Sequence, residues 1–188
     1  MKKTVDIVDN TTKFFQHRPV VLVIITSHAK GRDNAMAVGL HSLISSSPPI
    51  CGISIDEKRF SYELIRDSRE FGVNFMSFEE SDLVLAVGSV SGEMVDKFKE
   101  FNIAKENAVL TKVPIIKKAY VSYECKLIDN RGYFGHRWLV GEIKAVHWQK
   151  GVFLANDTLN LEKVKPLLYL AKGIFATGTK YVISQLDS

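Results

Sequence analysis

Two short apolar runs frame the segment that most constrains what this chain can fold into. Residues 20–25 and 50–55 are rich in β-branched side chains, a composition typical of buried strands. The residues between these runs are small or hydroxylated and are interrupted by Gly and Pro. We therefore predict two core strands that hold a polar segment in place.

The polar segment contains two groups of small side chains. Residues 34–36 follow a predicted turn at residues 30–33, and residues 45–47 precede Pro48 and Pro49. Small side chains leave backbone N–H groups accessible, so a planar ligand with several hydrogen-bond acceptors could approach closely. The same residue types dominate turns for conformational reasons alone. A ligand site and two ordinary polar turns both remain open interpretations.

The length of the chain bears on the number of domains, and its charge bears on the kind of ligand it binds. The chain has 188 residues, 46% of them apolar, which suffices for one buried core and is short for two. We expect a single domain over residues 1–188. The formal charge of +4 comes from cations that are interleaved with acidic residues, which favours a small anionic ligand over a nucleic acid as partner.

The cysteines and the amino terminus bear on metal binding and on the compartment. Cys51 and Cys125 lack the spacing of a zinc site or of a disulfide scaffold, so we expect reduced core thiols and no metal. Residues 1–15 lack the apolar region of a signal peptide, and the run at 20–25 is too short to span a bilayer. We expect a cytoplasmic protein with no membrane partner.

A basic loop precedes a predicted helix at residues 62–68. Lys58 and Arg59 supply two cations, and Ser61 is a candidate N-cap. A phosphate group prefers such a place because free amides and the positive end of the helix dipole point outward there. A plain cap with two exposed cations explains Ser61 equally well.

Three further residues are candidates for a site. A helix is predicted from Glu93, and Lys97 lies off its apolar face, either as a solvated lysine or as a cation beside an electron-accepting ring. Two long strands are predicted at 115–128 and 133–148, joined by a turn at 129–132, and the second carries His136. Tyr169 either closes a pocket or completes the core.

Taken in order, the motifs of this chain resemble those of the flavin reductase-like family, which has the FMN-binding split-barrel fold and includes flavoredoxins and archaeal ferric or flavin reductases. The resemblance covers residues 18–180. The motifs that carry it are Arg18-Pro19-Val20, Gly31-x-x-Asn34-Ala35, Ser45-Ser46-Ser47-Pro48-Pro49, Lys58-Arg59-Phe60-Ser61, Glu70-Phe71-x-Val73-Asn74, Ser91-Gly92-x-x-Val95-Asp96-Lys97-Phe98, His136-x-x-x-x-Gly141-Glu142-Ile143 and Pro166-Leu167-Leu168-Tyr169-Leu170. Many relatives have Gly-Asp-His where this chain has Phe134-Gly135-His136.

The resemblance implies an α+β fold that is mainly β, a split β-barrel with a few peripheral helices. It also implies an FMN bound near the interface of a homodimer. The residues it assigns to FMN are Asn34, Ala35, Met36, Ser45, Ser46 and Ser47 against the ring, Lys58, Arg59 and Ser61 near the phosphate, and Lys97 and Tyr169 around the ring. His136 is assigned a catalytic role beside the hydride donor.

The activity implied by this resemblance is that of an NAD(P)H-dependent flavin or ferric reductase. Electrons would pass from NADH or NADPH through bound FMN to free flavin, to ferric complexes or to a redox protein. The alternative is a flavoredoxin-like electron carrier with little direct NAD(P)H activity. Both activities need the same FMN pocket, so the sequence leaves the choice open.

Overall fold

The strands in the computed structural model, which describes residues 18–178, form one large antiparallel sheet and two small sheets. The large sheet has seven strands in the order β3-β2-β6-β9-β10-β5-β4. The strands are β1 (Val20–Val21), β2 (Val23–Ala29), β3 (Arg32–Val38), β4 (His41–Ser46), β5 (Pro49–Asp56), β6 (Glu70–Phe75), β7 (Lys105–Glu106), β8 (Ile115–Ile116), β9 (Val121–Tyr133), β10 (His136–Trp148), β11 (Leu168–Ala171) and β12 (Ile174–Ala176).

Short helices pack around the strands. They are α1 (Phe60–Ser68), α2 (Ser81–Ser89) and α3 (Lys97–Glu100), and a 3₁₀ turn (Phe78–Glu80) leads into α2. Of the helices within residues 18–178, none is long and apolar enough to cross a membrane. The mainly β composition with few helices agrees with the fold class expected from the sequence.

Strand β2 lies at the centre of the packing because both of its faces are covered. Val23 and Ile25 belong to the barrel core, whereas Ile24 points the other way and packs with Val84 and Val87 of α2. Side chains of a strand alternate between its two faces, so an unbroken apolar run was needed to fill both clusters. This arrangement places α2 and β3 next to each other.

A buried carboxylate organises the loop that follows β7. Glu124 is fully buried and accepts hydrogen bonds from the backbone N–H groups of Val109, Leu110 and Thr111 at 2.7, 2.8 and 2.7 Å. It also accepts from Oγ1 of Thr111 at 2.9 Å and pairs with Nε2 of His147 at 2.7 Å. The loop therefore depends on one ionised side chain in β9.

In and beside the polar segment, two of the predicted elements differ from those in the structure. The strand expected through residues 20–26 is broken at Leu22, whose N–H donates to the carbonyl of Leu167. Residues 34–36 lie inside β3 and Ser45 and Ser46 lie inside β4, so the interpretation as two polar turns was wrong for most of these residues. Pairing with neighbouring strands satisfies their backbone groups, which local turn propensity does not reveal.

The helix boundaries also differ from those predicted. Helix α1 begins at Phe60 and Arg59 is its N-cap, so Ser61 lies inside the helix and the prediction that it caps the helix was wrong. The helix expected from Glu93 begins only at Lys97, after Asp96, whose side chain accepts from the N–H of Lys99.

The long hairpin is shifted by several residues. Its turn lies at Phe134 and Gly135, which have φ values of 47° and 88°, and not at residues 129–132. Strand pairing continues through residues 129–132 because the neighbouring strand supplies partners there. Cys51 and Cys125 lie in the barrel core as expected, with their Sγ atoms 3.5 Å apart.

Candidate functional site

The strongest candidate for a ligand-binding group is the ammonium group of Lys97. Its side chain is only 4% exposed, and its Nζ donates to the carbonyls of Ala35 at 2.9 Å and Val87 at 2.7 Å. An ammonium group has three N–H donors, so one donor is left for another partner. Within residues 18–178, no carboxylate forms an ion pair with Lys97, and a bound anion would supply the missing charge.

The electrostatics of Lys97 support this interpretation. Burial, assisted by the positive charge of Arg59, lowers the pKa of Lys97 from 10.5 to about 8. The protein therefore disfavours the charged form of this lysine when no anion is bound. A nearby anion would stabilise the ammonium form, and the proton would then be held more tightly.

Asn34 and Ser61 form a second buried polar pair beside Lys97. Nδ2 of Asn34 donates to Oγ of Ser61 at 2.8 Å, whereas Oδ1 of Asn34 has no hydrogen-bond partner within the described residues. Ser27, which lies opposite Asn34 in the pairing of β2 and β3, has an unpartnered buried Oγ as well. Buried polar atoms normally have partners. Oδ1 of Asn34 is an acceptor, so the partner that would satisfy it is a donor such as a water molecule.

The backbone of Gly92 lies close to the side chain of Asn34. A Cβ atom on Gly92 would lie 1.9 Å from Oδ1 of Asn34, so only glycine fits there. Nη2 of Arg32 donates to the carbonyl of Gly92 at 2.7 Å, and the same guanidinium group lies 4.8 Å from the ring centroid of Phe60. Arg32 thereby ties the segment around Gly92 to β3.

Lys97, Asn34, Ser61 and Gly92 line one small pocket of about 90 Å³, which we call the cationic pocket. Its size suits a phosphate group better than a ring. The residues that line the cationic pocket are Asn34, Met36, Ala37, Arg59, Phe60, Ser61, Val87, Gly88, Val90, Ser91, Gly92 and Lys97.

A larger apolar cavity of about 410 Å³, which we call the ring cavity, adjoins the cationic pocket. The two share Ala37 and Gly88 as lining residues. Tyr169 lines the ring cavity, and its ring packs against Phe175 with centroids 5.5 Å apart. The remaining lining residues are Arg18, Val20, Leu22, Gly39, Leu40, Val84, Leu85 and Ser89.

The structure thus brings together most of the residues that the sequence assigned to a ligand. Lys97, expected beside a ring, lies in the cationic pocket with Arg59 and Ser61. Ala35 contributes its carbonyl to Lys97 and is itself fully buried.

The other candidates lie outside these two spaces. Ser45 and Ser46 line a separate groove of about 700 Å³, and Ser47 follows them in a turn. Lys58 is exposed, and its N–H donates to Oδ1 of Asp56 at 2.9 Å.

His136 lies at the exposed start of β10, directly opposite Asp56 of β5. Residues directly opposite on antiparallel strands have neighbouring side chains, so a carboxylate lies near His136 even though glycine precedes it in the sequence. The N–H of Glu57 also donates to the carbonyl of Gly135 at 3.0 Å. His136 is therefore placed beside the loop that carries Arg59.

Sequence reasoning missed the roles of Arg32 and Gly92. The sequence predicts a turn at residues 30–33, which include Arg32, and places Gly92 in a polar turn before a predicted helix. The only signal for Gly92 was its place in the Ser91-Gly92 motif, because its requirement for glycine arises from a contact with a residue 58 positions earlier in the chain.

Comparison with solved structures supports the same fold. An FMN-binding protein from Thermus thermophilus, with bound 1-cyclohex-2-enone, superposes with a TM-score of 0.82 at 28% identity and covers 92% of this chain and 93% of that one. Flavoredoxin from Methanosarcina acetivorans superposes with a TM-score of 0.84 at 25% identity and covers 98% of this chain and 96% of that one.

Sequence relatives extend across archaea and bacteria. An uncharacterised protein of Aeropyrum pernix is 28% identical over 155 residues, which are 82% of this chain but only 58% of that protein. The uncharacterised protein YddH of Escherichia coli K12 is 26% identical over 92% of this chain and 93% of its own length.

The family follows from a match over most of the chain. The family model for the flavin reductase like domain matches residues 15–178, which include β1 to β12 and both spaces of the candidate site. A split barrel domain protein from Shewanella frigidimarina superposes with a TM-score of 0.86 at 15% identity and covers 98% of this chain and 95% of that one. This likeness confirms the split-barrel fold expected from the sequence. The chain therefore belongs to the flavin reductase-like family of split-barrel proteins.

Proposed function

We propose that this protein binds FMN and passes electrons from NADH or NADPH through it to free flavin, to ferric complexes or to a redox protein. The observation that carries this proposal is the buried charge of Lys97, which has no ion-pair partner within residues 18–178, in a small pocket that adjoins an apolar cavity. That combination suits a ligand with an anionic tail and a flat apolar ring. Similarity to an FMN-binding protein and to a flavoredoxin supports the choice of FMN.

In this proposal the cationic pocket and the ring cavity bind different parts of FMN. The phosphate occupies the cationic pocket, where Lys97 and Arg59 supply positive charge and Asn34 and Ser61 supply hydrogen bonds. The ring occupies the ring cavity, where Tyr169 and the aliphatic walls exclude water. Met36 also lines the cationic pocket.

FMN, when bound, supplies the hydride and electron chemistry. The protein binds and orients the cofactor and supplies the surrounding charges. A fixed cation favours the more negatively charged state of a nearby group, so Lys97 and Arg59 would hold the anionic phosphate in the cationic pocket. His136 lies beside the Arg59 loop, where it would contact the electron donor and exchange a proton with solvent.

We further propose that a second copy of the chain covers the groove that contains Ser45 and Ser46. Leu43 and Ile44 of the edge strand β4 are 64% and 49% exposed and line this groove. Exposed apolar patches mark interaction sites, and homodimers with two-fold symmetry are the commonest oligomers.

Light scattering should therefore give a mass near twice the 21.1 kDa of one chain. The Leu43→Asp variant should shift the protein towards the monomer because it places a charge in the apolar contact. Leu110→Asp is the control, since Leu110 is also exposed but lies in the loop held by Glu124. A monomeric wild-type protein would contradict the dimer.

A flavoredoxin-like electron carrier is the second candidate. It is favoured by the similarity to a flavoredoxin over nearly the full chain. Such a carrier would exchange electrons rapidly with a reduced redox protein and react slowly with nicotinamides. Comparing the two reduction rates on one preparation separates the candidates.

The deciding experiment is an absorbance spectrum of the purified protein, followed by anaerobic titration with NADH and with NADPH. We expect a yellow protein whose flavin absorbance is bleached by at least one of the two donors. Protein that is colourless and takes up no FMN in calorimetry would contradict the proposed function. Protein that is yellow but reduced only by a redox partner would favour the carrier.

A further inference from the structure

A third space, which we call the outer cavity, opens beside the ring cavity and has a volume of about 580 Å³. The two cavities share four lining residues, Arg18, Val20, Gly39 and Leu40. A molecule seated in the outer cavity therefore reaches the wall of the ring cavity. The other residues that line the outer cavity are Pro19, Val21, His41, Ser54 and Trp138.

Trp138 gives the outer cavity a flat aromatic surface. It lies on β10 opposite Ser54 of β5, and a Cβ atom on Gly52 would lie 2.3 Å from Cζ2 of its indole ring. The ring therefore rests on the backbone of Gly52, which holds it against the sheet. Purine bases stack on aromatic side chains of this kind because every base presents a flat π-face.

Arg18 gives the outer cavity its charge. The guanidinium group of Arg18 forms no ion pair with the other described residues, and no Asp or Glu lines the outer cavity. Guanidinium groups bind phosphate through two parallel hydrogen bonds. A ligand with a planar base and a phosphate therefore matches the outer cavity better than a neutral sugar does.

We propose that the outer cavity binds the adenosine half of the electron donor. Trp138 stacks on the purine, and Arg18 binds the phosphate on the ribose 2′ oxygen, so that NADPH is preferred over NADH. His41 borders the same space, and its Nε2 pairs with the carbonyl of Val21 at 2.9 Å, which fixes the ring beside β1. This inference rests on the proposed function, because the donor is useful only beside a bound flavin.

The first test measures binding without turnover. Calorimetry on the purified, flavin-containing protein compares adenosine 2′,5′-bisphosphate with 5′-AMP. We expect the bisphosphate to bind at least about tenfold more tightly, since charged hydrogen bonds to a phosphate are worth about that factor or more. Arg18→Gln should remove this difference and leave 5′-AMP unaffected.

The aromatic contribution is tested in the same way. Trp138→Leu should weaken both nucleotides by about tenfold or more, whereas Trp138→Phe, which keeps a ring, should weaken them less. Arg66→Gln is the matched control for charge, because Arg66 lies on α1 in an ion pair with Asp67 at 2.9 Å and lines neither cavity. It should leave both affinities unchanged.

Steady-state kinetics distinguish a failure of this inference from a failure of the proposed function. Arg18→Gln should raise the KM for NADPH about tenfold and the KM for NADH less. Because Arg18 also lines the ring cavity, the flavin content of the variant is measured and the KM values are compared for the flavin-loaded fraction. A yellow, active protein in which Arg18→Gln changes neither nucleotide binding nor the donor preference would overturn the inference alone. A protein that never takes up FMN would overturn the proposed function first.

Discussion

Lys97→Met should weaken FMN binding by about tenfold to a hundredfold. The ammonium group of Lys97 has one free N–H donor and no anionic partner among residues 18–178, so in our proposal it makes a charged hydrogen bond to the FMN phosphate. Such bonds contribute roughly 1.5–3 kcal/mol. Methionine has a similar length and keeps the apolar part of the contact, so the loss measures the charge.

The same residue predicts how FMN affinity depends on pH. The pKa of Lys97 is lowered to about 8 by burial, with a contribution from Arg59, and a bound anion would raise it. FMN binding therefore takes up a proton above pH 8. Affinity should be nearly constant below pH 8 and should fall by up to about tenfold per pH unit above it.

Fluorescence titration of FMN across this pH range checks both expectations. Lys99→Met is the matched control, because Lys99 lies on the same helix with 87% of its side chain exposed and should leave affinity and pH dependence unchanged. Thermal unfolding confirms that each variant folds. If Lys97→Met binds FMN as tightly as the wild type, the phosphate does not occupy the cationic pocket.

Glu124→Gln should lower the free energy of unfolding by about 3–5 kcal/mol, as expected when a buried charge loses its role in a network. Its carboxylate accepts from three consecutive backbone N–H groups, from a threonine hydroxyl and from His147. An amide can accept at only one of its two polar atoms, so several buried donors lose their partner. The melting temperature should fall by roughly 6–20 °C.

The pH dependence of stability follows from the same carboxylate. Burial alone would raise the pKa of Glu124, but the hydrogen bonds from Val109, His147 and the neighbouring loop outweigh burial and lower it below 4.5. The contribution of Glu124 to stability is therefore complete above its unfolded pKa and is lost as the pH falls through its folded pKa. The Gln variant should lack this part of the acid destabilisation.

Denaturant unfolding of both proteins at several pH values between about 3 and 7, a range that brackets carboxylate titration, measures how the free energy of unfolding depends on pH. Glu142→Gln is the control, since Glu142 is partly exposed and pairs with Lys144 at 2.7 Å; it should change stability by about 0.5 kcal/mol or less. Equal stability of Glu124→Gln and wild type would show that the loop does not depend on this carboxylate.

The sequence by itself determined the strand-rich composition of the fold and the family to which the chain belongs. Residues 23–25 lie in the buried strand β2 and residues 50–55 lie in β5, because β-branched side chains suit both faces of a sheet. The motif order identified the family over most of the chain. Local patterns carry this information because strand propensity and motif spacing are short-range properties.

Only the tertiary structure decided the environment of Lys97 and Ser61. The sequence placed Lys97 off an apolar helix face, but contacts from Ala35 and Val87 bury it. Ser61 was expected to cap a helix, yet it lies inside α1 and accepts a hydrogen bond from Asn34. Both outcomes depend on residues 10 to 62 positions away, and no local pattern encodes which distant backbone groups will meet a side chain.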